Sequence, residues 1–296
     1  MFRLDLNESV PREIRRLLLD ELKDGEAALL GTEGSLAERV HEARKRIKRV
    51  RAVLALVDGG GPGAELAEAC RRAAARLAGP RGHAALLHSY ERLVSLEPEC
   101  ENAALRQELH ARAASVSEGA PDFLEATARC LHDARAFAKQ VEVQGNGFDA
   151  IARGFRATYR RARRALHLAR ASGKATDFHA FRKPCKRHFY QLRLLEDVWP
   201  AVMETRTAEL DRTGELAGEH HDLSLLRDEL KKLVPGEPGQ GLDAIVARRE
   251  RQLEQQILAL GELCFAERGR AITSRVRRYW QATAENGIVA KPTPEV

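Results

Sequence analysis

Apolar positions along this chain recur every three to four residues in long runs, the period of a helix with one buried face. No stretch alternates apolar and polar residues with the period of a strand. Clusters rich in glycine, proline and small polar residues interrupt the runs at 31–35, 59–63, 79–82, 117–122, 145–147, 171–176 and 235–241. Between them lie segments of roughly 15 to 25 residues, a length suited to bundle helices and too great for strands. The pattern predicts an all-α fold. The residues from 286 to 296 include two prolines and read as a flexible tail.

Composition fits this pattern. Ala, Leu, Arg and Glu, all strong helix formers, dominate. Aromatic residues make up 5% of the chain, so the core has to be built from Leu, Ala and Val, with Trp199 and Trp280 packed between helices. The formal net charge of +6 is moderate for 296 residues. Its distribution carries more information than its sum.

Projected at 100° per residue, the segment 36–58 divides sharply. Arg44, Lys45, Lys48, Arg49 and Arg51 fall within about 80° of His41. Ala43, Ile47, Val50, Val53, Leu54 and Val57 occupy the other side, and the single interspersed acid, Glu42, points sideways. A second segment repeats the division. Arg182, Lys183, Lys186 and Arg187 share the face of His179, Tyr190 and Arg193 continue it, and Phe181, Cys185, Leu192 and Leu195 lie opposite. Pro184 is expected to kink or loosen this helix unless it sits in the first turn. Like charges stacked at i, i+3 and i+4 repel by a few tenths of a kcal/mol per pair. A repeating anion laid along the stripe offsets that cost, with Arg supplying planar forks and Lys point charges for its oxygens.

The two segments are copies. HEARKRIKR begins at His41 and HAFRKPCKR at His179, a shift of 138 residues. LAGPRGHAALL, from Leu77, and LAGEHHDLSLL, from Leu216, repeat at nearly the same shift. A duplicated chain with its boundary at 145–147 follows, with halves 1–146 and 147–285. Pairing such halves predicts a cleft or axis where both copies of the motif meet. A solvated basic face explains one cationic helix; two copies at a fixed shift, each headed by histidine, argue against it. A further basic run precedes the second motif, with Arg156, Arg160, Arg163, Arg164 and His167 at helical spacing. Arg12, Arg15 and Arg16 stand in the equivalent place before the first.

Five cysteines without a C-x-x-C pair argue against a disulfide framework or a zinc ribbon and are expected as reduced core fillers in a cytoplasmic protein. The N-terminus lacks the apolar stretch of a secretory signal. No apolar run reaches the length of a membrane span.

The doubled H-x-x-R-K-x-x-K pattern, the Arg-rich helix before its second copy, FYQLRLLEDVWP from Phe189 and LAGEHHDLSLLRDEL from Leu216 together resemble the CHAD domain, the conserved-histidine α-helical domain. The resemblance covers nearly the whole chain. It implies two pseudo-symmetric four-helix-bundle-like halves around a shared basic surface or pore. It also implies binding of inorganic polyphosphate and, in bacteria, association with polyphosphate granules. Carried over by position, the binding residues are His41, Arg44, Lys45, Lys48, Arg49 and Arg51, with His179, Arg182, Lys183, Lys186, Arg187, Tyr190 and Arg193. Arg156, Arg160, Arg163 and Arg164, with Arg12 and Arg16, complete the candidate set. Two departures stand out. The second half keeps a His221–Asp222 pair where the first has Gly82 and His83, and Phe189 stands where the first half has Arg51.

Other chemistries fit less well. Arg and Lys around His41 and His179 repel divalent metals, and His220, His221 and Asp222, the most metal-like group, read as a turn or helix start. Phosphotransfer through histidine needs a base or Mg²⁺ carboxylates that the stripes lack, so no enzymatic activity and no cofactor are expected. Nucleic acid is the stronger rival, since its phosphates carry the same charge. Stacking of its bases calls for aromatic platforms, and only Tyr159 and Tyr190 lie near the cations, so RNA or DNA is expected to bind weakly.

Overall fold

Many helix ends are written locally. Ser35 and Glu38 form a reciprocal capping box at the start of one helix, with Ser35 N donating to Glu38 Oε2 at 2.7 Å. Pro200 opens another at its first position, and Gly173 closes a third in the left-handed conformation at φ 61°. The computed structural model describes residues 2–57, 60–114, 120–234 and 237–285. Eleven α-helices and no strand occur among them. They are α1 (Val10–Leu30), α2 (Leu36–Leu54), α3 (Pro62–Arg76), α4 (Gly79–Leu96), α5 (Ala103–Ala114), α6 (Ala120–Lys139), α7 (Asp149–Ser172), α8 (Ala175–Leu194), α9 (Pro200–Leu233), α10 (Glu237–Cys264) and α11 (Gly269–Glu285).

Six of these precede the break at 145–147 and five follow it, more than the four per half that the resemblance implies. At the break, Gly145 and Gly147 have φ of +82° and +53°, which residues with a Cβ rarely adopt. The expected tail, 286–296, lies outside the described residues. Before the break, α1 packs on α2 and α6, and α6 on α3. After it, α7, α8, α9 and α10 pack in succession, with α11 returning to α7. The two groups meet where α2 lies on α8 and α4 on α9.

The contact between the groups is close because the side chains there allow it. The Cβ of any residue replacing Gly154 on α7 would lie 2.2 Å from Leu56 O, so only glycine lets α7 approach the end of α2 this closely. Gln191 on α8 is fully buried and donates through Nε2 to Ala52 O of α2 at 3.2 Å and to Thr158 Oγ1 of α7 at 3.1 Å. The N-terminal segment adds a strap: Leu4 N donates to Leu194 O, and Arg3 pairs with Glu196 and Asp197.

The apolar halves of both motif helices are in the core. Ala43, Ile47, Val50, Val53, Leu54 and Val57 are buried, as are Phe181, Cys185, Leu192 and Leu195. Pro184 sits in the interior of α8, and the helix runs through it. The segment around His220 differs from its expectation as a turn or helix start. In the first copy, LAG at 77–79 turns the chain between α3 and α4; in the second, 216–218 lies in the middle of the 34-residue α9. All five cysteines are free, and four are buried. Trp280 packs 6.2 Å from Phe148, whereas Trp199 is 47% exposed, its ring edge-on to Tyr279.

Candidate functional site

A cavity of about 630 Å³ opens between α2, α4, α8, α9 and α10, bracketed by the two contacts that join the helix groups. Both copies of the motif contribute. His41, Lys45, Lys48 and Arg49 come from α2, and Arg182, Lys186, Tyr190 and Arg193 from α8. These positions recur at three and four residues, so one face of each helix supplies them.

The structure divides the remaining candidates. Arg44 turns away to cap the end of α3, donating to Leu77 O at 3.0 Å and Ala74 O at 3.3 Å. It also borders a smaller cavity with Arg182 and His221. Arg51, Lys183 and Arg187 are absent from the large cavity's lining. So are Arg156, Arg160, Arg163 and Arg164. The stems of Arg156 and Arg160 cross Gly269 at the start of α11, and Arg163 donates to Phe265 O at 3.1 Å. Arg12 pairs with Glu8, and Arg16 with the buried Glu13 and with Asp20, and neither arginine lines the cavity.

His179 also lies outside the large cavity. Its ring stacks on His221, centroids 3.9 Å apart. Burial first, then His221 and the cations Lys183 and Arg182, push the pKa of His179 down to about 4. Burial and Arg182 bring His221 to about 4 as well. Near neutrality both rings are uncharged and add no positive charge to the site. His220 points elsewhere, with Nε2 3.0 Å from Glu254 Oε1. The three metal-like positions 220–222 therefore diverge, and among the described residues no group of three or more His, Cys, Asp or Glu could hold a metal ion.

Residues without a motif complete the cavity. His88 and Arg92 come from α4, Arg212 from α9 and Arg249 from α10. Nothing in the local sequence distinguishes them, because their helices reach the site only through tertiary packing. In all, nine Lys and Arg face four carboxylates in the lining: Asp211, Glu215, Glu219 and Asp222, all on α9. Lys186 Nζ lies 2.6 Å from Asp211. Glu219 accepts from Arg92 and from Arg249, each at 2.7 Å. Behind the cavity Arg49 pairs with the buried Glu21 at 3.2 Å, and Glu42 engages Lys45 and Arg46. On α2 itself Glu42, expected to point sideways, pairs with Lys45 of the stripe, and α1 and α9 bring further acids to the two stripes.

Two glycines on α9 set the height of two cations. A Cβ at Gly214 would fall 2.7 Å from Lys186 Cδ and 2.8 Å from its Cε; one at Gly218 would fall 3.3 Å from Arg182 Nε. One turn apart, these glycines leave a shallow groove in which the Lys186 stem and the Arg182 guanidinium lie against α9. The aromatic residues serve as floor. Phe189 and Tyr190 are 5% and 8% exposed, Lys186 and Arg193 cover the Phe189 ring, and Phe2 lies edge-on to Tyr190 beneath Arg49.

Comparison with known proteins agrees with this architecture. The family model described as CHAD domain matches residues 13–231. The solved structure of the CHAD domain from the plant Ricinus communis resembles the chain with a TM-score of 0.50 at 21% identity, over 95% of this chain and 94% of that one. At that identity the likeness concerns the fold. No curated protein matches the chain. Among the described residues, no helix is long and apolar enough to cross a membrane.

Proposed function

The chain belongs to the CHAD domain family, and from that premise we propose that it binds inorganic polyphosphate in the cavity between α2, α4, α8, α9 and α10. The observation that carries the proposal is convergence. Nine Lys and Arg side chains from five helices line one cavity with a surplus over its carboxylates, and both copies of the motif contribute. A ligand with a charge at every repeat offsets the mutual repulsion of these cations along its whole length. The aromatic lining favours phosphate over nucleic acid. Phe189 and Tyr190 are buried under cations, so neither offers a free face on which a base could stack.

The role proposed is binding without turnover, in the cytoplasm at polyphosphate granules. Asp211 and Glu219 are engaged by Lys186, Arg92 and Arg249, which works against their holding Mg²⁺. Incubation with polyphosphate and Mg²⁺ is expected to release no orthophosphate; sustained release would overturn this part.

The geometry selects the variant that tests the site. Arg44 caps the end of α3 and Arg49 neutralises the buried Glu21, so replacing either confounds binding with packing, whereas the acids paired with Lys45 and Lys186 are partly exposed. Lys45, Lys48 and Lys186 line the cavity, and the triple change to Gln is expected to remove most polyphosphate binding while the helical circular dichroism is retained. Unchanged binding would show that the cavity is not the site. Tighter binding to single-stranded RNA of matched charge would favour nucleic acid instead. Binding is expected to weaken steeply with salt, by a slope of roughly 0.7–0.9 per phosphate neutralised.

A further inference from the structure

Cations are spread unevenly over the surface outside the cavity. Several exposed arginines carry an acid three or four residues away, as Arg12 does with Glu8, Arg71 with Glu68 and Arg112 with Glu108. The sequences of α7 and α11 offer almost none. The 24 residues of α7 include seven arginines and, after Asp149 in the first turn, no acid. In α11, four arginines precede a single acid, Glu285, at the end of the helix. Neither helix has a lysine, and neither lines the large cavity.

The two helices run antiparallel, side by side. Arg277 of α11 pairs with Asp149 at the start of α7 and lies over the Phe148 ring. At the other end, the Cβ of a residue replacing Gly269 would meet Arg160 Cγ at 2.6 Å and Arg156 Cγ at 3.4 Å. Glycine therefore lets both stems cross the start of α11, where Arg268 and Arg270 flank it in the chain. Tyr159 OH, donating to Glu267 O at 3.1 Å, holds the same approach. Among the described residues, none of Arg156, Arg160, Arg164, Arg268, Arg270 and Arg278 forms an ion pair with a carboxylate, and all but Arg156 are exposed. Arg277 and Tyr279 point about 200° apart around α11, so its opposite flank carries Tyr279. There α11 packs on the turn Glu196–Val198, and Trp199 stands edge-on to Tyr279 at 4.8 Å between ring centroids, 47% exposed. The solvent side of α11 thus joins the α7 arginines to an uncovered indole.

We infer that the α7–α11 face is a docking surface for single-stranded nucleic acid, with Arg160, Arg164, Arg270 and Arg278 on the phosphates and Trp199 under a base. Charge complementarity calls for a polyanion, and guanidiniums engage its oxygens in pairs. The indole decides which polyanion. It offers the stacking face that the cavity lacks, and bases are free to use it in a single strand, not inside a duplex. A bilayer would need large apolar side chains among the cations, and α11 sets Ser274 between Arg270 and Arg278. The surface shares no residue with the cavity lining, so the inference stands apart from what the cavity binds.

The test is fluorescence anisotropy of the full chain with an end-labelled oligoadenylate RNA of about a dozen nucleotides, at several salt concentrations. Arg160→Gln with Arg270→Gln is expected to weaken binding about tenfold or more, and to lower the slope of log affinity against log salt by roughly 0.7 for each arginine removed. At position 160 Gln keeps the Cγ that packs on Gly269, so the fold is expected to hold. Trp199→Leu is expected to weaken binding about tenfold. An abasic strand of the same length should bind the wild-type chain as weakly, an arm that needs no variant. The triple change of Lys45, Lys48 and Lys186 to Gln is expected to leave RNA affinity unchanged. The surface is overturned if the arginine pair binds RNA normally, if polyglutamate of matched charge competes as well as RNA does, or if phosphatidylserine vesicles capture the chain through the same arginines more tightly than RNA binds. Equal affinity for the abasic strand, or for a duplex of the same sequence, overturns the assignment to single strands. If the lysine variant loses RNA and the arginine pair keeps it, RNA sits in the cavity and the surface falls. Failure of the arginine arm alone leaves the polyphosphate reading standing.

Discussion

Replacing Gly214 with alanine separates what the cavity needs for binding from what the fold needs for stability. Alanine in a helix interior is favoured over glycine by about 1 kcal/mol. The new Cβ would meet Lys186 Cδ and Cε at 2.7 and 2.8 Å, closer than such atoms approach. The obstacle is a flexible side chain, so Lys186 can lift away at a cost no greater than the propensity gain. The displaced ammonium leaves Asp211, now 2.6 Å from it, and its place in the cavity wall. Stability should therefore hold or rise by about 2–4 °C in Tm. Polyphosphate affinity should fall by about fivefold, or roughly 1 kcal/mol. The slope of log affinity against log salt should lose about one unit, because one phosphate contact is gone. The assay is a fluorescence titration with end-labelled polyphosphate at several salt concentrations, beside a melt of the same samples. Wild-type affinity with an unchanged slope would refute the account of Lys186, and a large drop in Tm would refute the claim that its stem yields.

Gly154→Ala carries the same propensity gain but meets the backbone oxygen of Leu56, which cannot move alone; a net loss of about 2 kcal/mol, or roughly 4–8 °C, is expected by calorimetry, and an unchanged Tm would sink it. His179, His221 and the buried His188 have pKa values lowered to about 4, 4 and 3, so the unfolded chain binds more protons below about pH 6.5. Stability should be full above that pH and fall as pH drops toward 4, and His179→Gln with His221→Gln should flatten this loss in urea titrations; identical slopes would count against neutral rings. Arg227 forms two hydrogen bonds with Asp243, at 2.7 and 2.8 Å, and one with the buried Glu250 at 3.0 Å. Arg227→Ala leaves Glu250 buried without that partner and should cost about 2 kcal/mol by urea denaturation, against no change if solvent reaches Glu250.

What the sequence determined by itself is the set of properties carried by helical period. The apolar and cationic faces of α2 and α8 follow from spacing alone, so the buried set from Ala43 to Val57 and the cations of both copies were legible before any packing was known. The all-α class and the break at the two positive-φ glycines were legible for the same reason: each is a local preference of the backbone. Family membership was legible because the doubled motif is itself a sequence pattern.

Tertiary structure decided which cations share a cavity. Helical projection places Arg44 beside Lys45, but the end of α3 captures Arg44 while Lys45 lines the cavity. Helical projection puts His179 on the cationic face of α8, and burial, with the His221 ring stacked on it, keeps it neutral. Arg92, Arg212 and Arg249 belong to the lining because α4, α9 and α10 are brought there by contacts far apart in sequence. Acids of α9 likewise reach the cationic faces of α2 and α8, which carry few acids of their own. Period fixes the direction of a side chain from its own helix axis; which helix stands opposite is fixed by the packing of the whole chain.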